Sequence, residues 1–347
     1  MRRILAPERQ HPEPLGRAGE PPSVVEQFDE SHGQRAPQAM EPRLPRREAP
    51  SKRGAYPFLV STRPRQWIKN LLVFAAPALA GLLGRPGVLA RSALAAALFL
   101  LASAGTYLLN DVIDAPRDRA HPKKALRPIA SGALSPGLAL GGGAILLGAA
   151  IGCAPLVGGR ALLAVVGTYA IVSILYSCYL KQVPVIELAC VASGFVLRAV
   201  AGGAAVHIAI SPWFVIVTAA CSLLVVTGKR SSELATLGTR SSEHRAVLAA
   251  YPMSFLRSVR LLAGTTAVLS YALWAFARAA HLDTGHGGLE HVVFELSIIP
   301  FATAILCAEL AFETGRGDAP EDLALKDTGL QLLGLACLVL LMIGIYT

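Results

Sequence analysis

Long apolar stretches separated by short polar connections run from Trp67 to the end of the chain. Each stretch is a continuous series of Leu, Ala, Val, Gly and Ile, and about 20 such residues span the hydrocarbon core of a bilayer as a helix. A membrane β-barrel would instead show alternating segments of about ten residues. The pattern therefore predicts an all-α integral membrane protein. Nine transmembrane helices are predicted, over residues 67–84, 90–109, 135–156, 161–180, 184–206, 212–228, 256–280, 292–314 and 328–346.

Composition supports this interpretation and narrows the function. The chain of 347 residues is 53% hydrophobic and only 16% charged. Its six cysteines lie within the apolar stretches without a CxxC spacing, which is typical of small buried side chains and not of a disulfide framework or a metal site. The net charge of +9 comes from a tail and from short loops. Membrane orientation and anionic ligands explain that charge better than nucleic acid does.

The first 56 residues differ from the rest of the chain. They are rich in Pro, Arg, Glu, Gln and Ser and show no sustained apolar period, so they cannot bury enough surface to fold alone. No apolar core follows Met1-Arg2-Arg3, which argues against a signal peptide. We predict a disordered cytoplasmic tail over 1–56 and a membrane domain over 57–347.

The distribution of Lys and Arg predicts the orientation. Connections on the side of the tail carry twelve of these residues, whereas the opposite side carries four. Short cytoplasmic loops are enriched in positive charge, so the N-terminus is predicted to be cytoplasmic and the C-terminus external. The protein is therefore predicted to be a multi-pass protein of the inner (plasma) membrane.

Three aspartates follow the second apolar stretch. Asp111 and Asp114 are three residues apart, and Asp118 lies four further on, so a continuing helix would place all three on one face. Pro116 disfavours a helix interior, and the acids alternatively straddle a helix end. Carboxylates beside waters and substrate phosphates are the usual environment of Mg²⁺. The segment, together with Asn110, predicts a Mg²⁺ site at the membrane surface; solvated helix-capping acids are the alternative.

A basic loop at 121–132 follows the aspartates. Lys124 and Arg127 are the preferred phosphate ligands because they flank a Pro-Ile-Ala-Ser-Gly turn that leads back into the membrane. Anchoring by positive charge alone is the alternative explanation.

A second polar cluster ends the sixth apolar stretch, and it is basic where the first is acidic. Two helix ends of opposite charge on one side can enclose a ligand that carries both a metal-bound pyrophosphate and a separate phosphate. The candidate ligands in this cluster are Lys229, Arg230 and Glu233.

Ionisable residues within a membrane helix are functional candidates by default. Glu187 and Arg198 lie eleven residues apart, about three helical turns, and so share one side of the fifth helix. For Arg198, an ion pair with another helix and a phosphate contact both stay open. Tyr176 and Lys181 lie at the cytoplasmic boundary, where an anchoring role and a site role are equally compatible with the sequence. Ahead of the first apolar stretch, anchoring is predicted for Arg63, Arg65 and Trp67, whereas Lys69 and Asn70, one turn further in, are candidates to face the pocket.

Four motifs carry a resemblance to a known family. They are Arg-Pro-Arg-Gln-Trp-Ile-Lys-Asn at 63–70, Tyr-Leu-Leu-Asn-Asp-Val-Ile-Asp at 107–114, Arg-Pro-Ile-Ala-Ser-Gly at 127–132 and Gly-Lys-Arg-Ser-Ser-Glu-Leu at 228–234. With these motifs the chain resembles the decaprenyl-phosphate phosphoribosyltransferases of the UbiA superfamily over nearly everything after the tail.

The resemblance implies a UbiA-like bundle of nine helices and a specific reaction. The reaction is transfer of 5-phosphoribose from 5-phosphoribosyl diphosphate (PRPP) to decaprenyl phosphate or another polyprenyl phosphate, with Mg²⁺ as cofactor and pyrophosphate as the second product. The product would supply arabinan precursors for an actinobacterial cell wall, in arabinogalactan and lipoarabinomannan. Most of the superfamily binds a prenyl diphosphate and carries a second aspartate-rich motif where this chain has Lys229-Arg230-Ser231-Ser232-Glu233. That departure disfavours an aromatic prenyltransferase, the alternative.

The resulting hypothesis assigns roles to named residues. A transporter is a further rival, but the candidate ligands cluster on one face of the membrane. The sequence leaves open whether the chain forms a homo-oligomer. Catalytic roles are assigned to Asn110, Asp111 and Asp114; metal binding to Asp111, Asp114 and Asp118; and PRPP binding to Lys69, Tyr107, Asn110, Lys124, Arg127, Tyr176, Lys181, Glu187, Arg198, Lys229, Arg230 and Glu233.

Overall fold

The computed structural model describes residues 55–121, 124–237, 246–282, 289–315, 323 and 326–346, and within them every regular element is helical. Three 3₁₀ helices cover Pro64–Phe74, Lys124–Leu126 and Leu180–Gln182. The α-helices are α1 (Ala55–Ser61), α2 (Ala75–Leu79), α3 (Pro86–Arg119), α4 (Pro136–Cys178), α5 (Ile186–Val206), α6 (Pro212–Leu237), α7 (Ala246–Ala249), α8 (Met253–Leu282), α9 (Leu289–Leu296), α10 (Ile298–Glu313) and α11 (Thr328–Tyr346).

Seven helical stretches within the described residues are long and apolar enough to cross a membrane. They comprise α3, α4, α5, α6, α8, the combined α9 and α10, and α11. The prediction of an all-α membrane protein is therefore confirmed. The predicted tail over 1–56 lies outside the described residues except for Ala55 and Tyr56, which begin α1.

The first predicted helix, over 67–84, is wrong in type and length. The chain forms the 3₁₀ helix Pro64–Phe74 and then the short α2, which ends at Leu79. At this crossing the carbonyl of Val73 lies so close to Gly202 of α5 that any Cβ there would overlap it. The narrower winding of a 3₁₀ helix fits such a close approach.

The third and fourth predicted helices, over 135–156 and 161–180, are joined in α4 across a kink. Gly159 at the kink has a φ of 62°, a left-handed conformation that glycine adopts without steric cost. The kink therefore divides the 43 residues of α4 into two halves.

The two halves of α4 lie beside the same part of α3. In the first half Gly143 packs directly on Gly105, and in the second half the ring of Tyr169 lies 5.2 Å from that of Phe99. An unbroken helix would separate Gly143 from Tyr169 by about 39 Å, whereas Phe99 and Gly105 are about 9 Å apart along α3. The chain therefore reverses direction at the kink and forms a helical hairpin.

Other boundaries also differ from prediction. The helix predicted over 90–109 continues to Arg119, and the one over 212–228 continues to Leu237, because polar residues at these ends are held by ion pairs that hydropathy does not reveal. The stretch over 292–314 is divided at Ser297 into α9 and α10. The final helix has the predicted bounds.

Candidate functional site

The end of α3 presents three aspartates on one face, which is the first of the two predicted arrangements. Pro116 lies in the last turn without ending the helix. Asp111 and Asp118 are buried, and one guanidinium nitrogen of Arg127 donates to both, at 3.3 Å and 2.7 Å. Arg127 therefore closes the loop after α3 onto the acidic face.

Two further cations complete this acidic cluster. Arg63 donates to Asp111 Oδ1 over 2.5 Å, and Lys181 donates to Asp114 Oδ1 over 2.5 Å. Sequence reasoning placed Arg63 among membrane anchors, and this assignment is wrong. Its position as the first residue of the motif at 63–70 was the sequence feature that could have indicated a site role for Arg63.

Neighbouring polar groups fix this arrangement. The guanidinium of Arg63 lies 4.8 Å from the ring centre of Tyr107. The side-chain amide of Asn110 donates to Asp114 Oδ2 over 3.1 Å. Tyr107 precedes Asp111 by four residues and Asn110 precedes Asp114 by four, so each lies about one turn further into α3 than its aspartate and the two form the floor of the cluster.

The described residues contain no group of three or more His, Cys, Asp or Glu side chains with metal-ligand spacing. Mg²⁺ is usually held by one or two carboxylates together with waters and substrate phosphates. Asp111 and Asp114 supply oxygen donors of that type, so the residues fit an ion that arrives with its substrate.

The basic end of α6 is dominated by an ion pair. Arg230 binds Glu187 of α5 through two parallel hydrogen bonds of 2.8 Å, and it binds Glu233 at 2.8 Å. The single positive charge of Arg230 is therefore matched by two negative carboxylates. Lys229, by contrast, is half-buried and has no side-chain hydrogen bond or ion pair with any part of the chain that the structure describes. Among the described residues, Lys229 is therefore the cation of this cluster without a carboxylate partner.

The acidic and basic clusters meet at the connection between α4 and α5. Lys181 in this connection binds Asp114 of α3, and Glu187 six residues later binds Arg230 of α6. The two helix ends that the sequence paired by charge therefore lie on one side of the bundle.

Arg198 lies deeper in the bundle, eleven residues from Glu187 and thus about 16 Å along α5. Its guanidinium donates to Asn70 Oδ1 at 2.9 Å, to the carbonyl of Gly194 at 2.6 Å and to the hydroxyl of Tyr169 at 3.0 Å. None of these acceptors is an acid, so the predicted ion pair with another helix is not formed within the described residues.

The remaining candidates line the edges of the site. Lys69 lies 5.1 Å from the ring centre of Phe195, which is on α5. Lys124 is half-buried at the start of its 3₁₀ turn. Tyr176 lies in the last turn of α4, within electrostatic range of Arg230.

Sequence reasoning missed a third charged cluster. Arg260 of α8 is 1% exposed and donates to Ser231 Oγ at 2.7 Å. It also binds Glu309 at 2.9 Å, and it binds Glu313. The signal was the pair of glutamates at i and i+4 inside a predicted membrane helix. This cluster ties α8 and α10 to the end of α6.

An apolar cavity of about 440 Å³ lies between α2, α6, α8, α10 and α11. Val217, which lines it, is thirteen residues from Arg230 along α6, a separation of about 20 Å. The cavity therefore lies far from the charged clusters. Its aromatic lining residues are Trp213, Phe214, Tyr271, Trp274 and Phe301.

Comparison with known proteins gives a consistent result. Residues 71–321 match the model of the UbiA prenyltransferase family. The chain is 38% identical over 305 residues to decaprenyl-phosphate phosphoribosyltransferase of Corynebacterium glutamicum, covering 87% of this chain and 90% of that protein. It is 41% identical over 281 residues to the protein of the same name from Mycobacterium tuberculosis, covering 79% and 89%.

The fold also matches a solved structure. A UbiA homolog from Archaeoglobus fulgidus bound to DMAPP and Mg²⁺ superposes with a TM-score of 0.62 at 16% identity, covering 83% of this chain and 98% of that one. At this identity the likeness concerns the fold alone. The match over 71–321 and the two bacterial relatives together establish that this chain is a member of the UbiA prenyltransferase family.

Proposed function

We propose that the protein transfers 5-phosphoribose from PRPP to decaprenyl phosphate or a similar polyprenyl phosphate and releases pyrophosphate. The observation that carries the proposal is the pairing of an acidic α3 end with a basic α6 end, where Lys229 stands available for a phosphate. A prenyl diphosphate carries no phosphate separate from its diphosphate group and so has nothing to bind Lys229. The two relatives of this name match most of the chain.

In this proposal Asp111 and Asp114, with Asn110 beside them, hold Mg²⁺ against the pyrophosphate of PRPP. Bound Mg²⁺ would supply positive charge to the departing pyrophosphate. Asp118 contributes through Arg127, since its carboxylate is engaged at 2.7 Å by that guanidinium. The acids therefore differ in role although they share a face.

The cations now paired with the aspartates are well placed to bind phosphate oxygens. Arg63, Arg127 and Lys181 each contact a carboxylate of the acidic cluster, and charge-assisted hydrogen bonds to phosphate are strong and directional. Lys124, three residues before Arg127, would add a further cation for phosphate binding. Lys229 would bind the 5-phosphate of the sugar, while Arg230, Glu187 and Glu233 hold the end of α6 in place.

The reaction needs little more than positioning. A phosphate oxygen of the lipid forms a bond to the anomeric carbon of ribose, and the bond from that carbon to pyrophosphate breaks with its electron pair leaving on pyrophosphate. Positive charge that develops on the ribose ring resembles that of other glycosyl transfers. The lipid phosphate is already anionic, so no strong general base is required.

We also propose nine membrane crossings with a cytoplasmic N-terminus. The hairpin of α4 provides two crossings. The 3₁₀ helix Pro64–Phe74 with α2 extends about 30 Å, which matches the hydrocarbon thickness of a bilayer. With these, the seven helical stretches become nine, and the charged clusters all lie at the cytoplasmic boundary of the plasma membrane.

The lipid acceptor would place its phosphate at this boundary and its chain among the helices. The apolar cavity beside α6 offers space for distal isoprene units. A water-soluble donor and a membrane-bound acceptor would thus meet at one surface, and the product would serve arabinan synthesis as the resemblance implies.

The direct test uses purified protein in liposomes that contain decaprenyl phosphate, with PRPP labelled in the ribose. Label should move to the lipid fraction, and pyrophosphate should appear in equal amount. Transfer from geranyl or longer prenyl diphosphates to an aromatic acceptor, without transfer from PRPP, would instead support the aromatic prenyltransferase.

A further inference from the structure

The connection between α4 and α5 contains a strained turn at Val185. Its φ is 68° and its ψ is −50°, and Ile186 N donates to the carbonyl of Pro184 over 2.8 Å, which defines a γ-turn with a positive central φ. A positive φ is unfavourable for a β-branched residue. The side chain of Val185 is 52% exposed, so burial does not offset the strain. Contacts outside the turn must hold this conformation.

The hydroxyl of Tyr251 supplies such a contact. Val185 N donates to Tyr251 Oη over 2.7 Å, across 66 residues of sequence. Tyr251 is buried, and its ring stacks on Phe255 with 5.9 Å between ring centres. The phenol therefore presents a fixed acceptor to the turn.

The phenol of Tyr251 is neutral at pH 7 even at its ordinary pKa of about 10, and its surroundings favour the neutral form further. Burial raises the pKa of Tyr251, the amide of Val185 lowers it, and the nearby Glu187 carboxylate raises it again, for a net rise. The neutral hydroxyl can thus accept from Val185 while it interacts with Glu187. Tyr251 therefore contacts the strained turn and lies near the acid that binds Arg230.

The turn lies between the residues that connect the two halves of the site. Lys181, four residues before it, binds Asp114 of the acidic cluster. Glu187, two residues after it, is fully buried against Arg230 of the basic cluster. The conformation of Val185 therefore sets the separation between these two attachment points.

We propose that Tyr251 is a positioning residue that holds the acidic and basic halves of the site at the separation a ligand with a diphosphate and a distal phosphate requires. This inference rests on the proposed use of PRPP. Tyr251 acts through Val185 and Glu187 and does not touch the substrate. The lipid acceptor carries a single phosphate and cannot occupy both clusters at once, so its binding should not depend on this residue.

The first test is the kinetic effect of Tyr251→Phe, which keeps the packed ring and removes the hydroxyl. Loss of one hydrogen bond should raise the KM for PRPP about five- to tenfold. The KM for decaprenyl phosphate and kcat should change less than twofold. Tyr179→Phe removes the hydroxyl of an exposed tyrosine beside the same connection and should leave all three constants unchanged.

The second test is rescue by Val185→Gly. Glycine adopts a positive φ without steric cost, so the turn no longer needs Tyr251. The double variant Tyr251→Phe with Val185→Gly should restore the KM for PRPP to within twofold of the wild type. An unchanged KM in Tyr251→Phe, or no recovery in the double variant, would overturn the proposal.

A third measurement needs no substrate and separates this inference from the proposed function. Hydrogen–deuterium exchange at the amide of Val185 should be about five- to tenfold faster in Tyr251→Phe and remain equally fast in the double variant. If the wild type fails to use PRPP, the proposed function is wrong, whereas unchanged exchange in Tyr251→Phe refutes the role of Tyr251 by itself.

Discussion

Arg230 and Glu187 form a two-point ion pair in which both side chains are buried, at 5% and 0% exposure. The pair joins α6 to α5 at the end of the bundle that carries the charged clusters. Removing one partner from such a pair leaves an uncompensated charge, which is more damaging than removing both. Comparing the single and double substitutions therefore distinguishes a structural role for Arg230 from a ligand-binding role.

Arg230→Ala should therefore destabilise the protein by about 3–5 kcal/mol. The double variant Arg230→Met with Glu187→Met should recover most of that loss, because no buried charge remains. Thermal unfolding of purified protein in detergent measures both effects. A double variant no more stable than Arg230→Ala would contradict a structural role for the pair.

Lys229 should behave differently from its neighbour. Lys229→Ala is expected to raise the KM for PRPP about tenfold or more, the loss typical of one charged hydrogen bond, while thermal stability stays unchanged. Arg65→Ala is the matched control, since Arg65 is an exposed cation in the first turn of the 3₁₀ helix Pro64–Phe74. Equal effects of the two variants on KM would show that general surface charge, and not a specific contact, attracts PRPP.

The acidic cluster should be essential for turnover. Asp111→Asn preserves shape but removes the charge that Mg²⁺ and two arginines share, and we expect kcat/KM to fall at least about 100-fold. Excess EDTA should abolish transfer by the wild type, with recovery on adding Mg²⁺. Asp327→Asn serves as the control, because Asp327 caps α11 by accepting from Leu330 N at 3.0 Å. Full activity of Asp111→Asn would rule out its role in metal binding.

The hairpin predicts opposite effects at two glycines. A Cβ at Gly105 would lie 2.7 Å from the carbonyl of Gly143, so Gly105→Ala should destabilise the protein by about 1–3 kcal/mol. Nothing lies within 4 Å of a Cβ at Gly148, and Gly148→Ala should be neutral or stabilising by up to about 1 kcal/mol. Thermal unfolding distinguishes them, and the same sign for both would argue against close packing of α3 on α4.

The hairpin also predicts the sidedness of three positions. In a variant lacking the native cysteines, Arg160→Cys should react with a membrane-impermeant maleimide in intact cells. Ser135→Cys and Gln182→Cys should react only after permeabilisation, because the proposed orientation places both ends of α4 on the cytoplasmic side. Labelling of Ser135→Cys and Gln182→Cys from opposite sides would mean that α4 crosses the membrane once.

Hydropathy predicted most of the fold because a lipid-spanning helix needs little beyond a continuous apolar stretch. It failed at the first predicted helix, where close approach to Gly202 favours a 3₁₀ helix. It also failed at the ends of α3 and α6, which extend into the polar boundary through contacts such as Arg127 with Asp118. Such contacts join residues distant in sequence, so no local pattern reveals them.

In the candidate site too, local spacing was predictable from the sequence and contacts between distant residues were not. Spacing alone placed the three aspartates on one face, since i, i+3 and i+4 positions share a helix face. It did not distinguish Lys229 from Arg230, because the difference depends on Glu187, 43 residues away. It also assigned Arg63 to anchoring, since the partner of that guanidinium lies on another helix.

The acidic cluster has one further property. Its carboxylates, Asp111, Asp114 and Asp118, are matched in number by the cations Arg63, Arg127 and Lys181. A cluster without net charge projects little field into solution, so it cannot accelerate the approach of a polyanion over a distance. PRPP would then bind only after it reaches the cluster, where its phosphates replace the aspartates as partners of the cations. Any dependence of the association rate on ionic strength should therefore come from cations outside this cluster, such as Lys229.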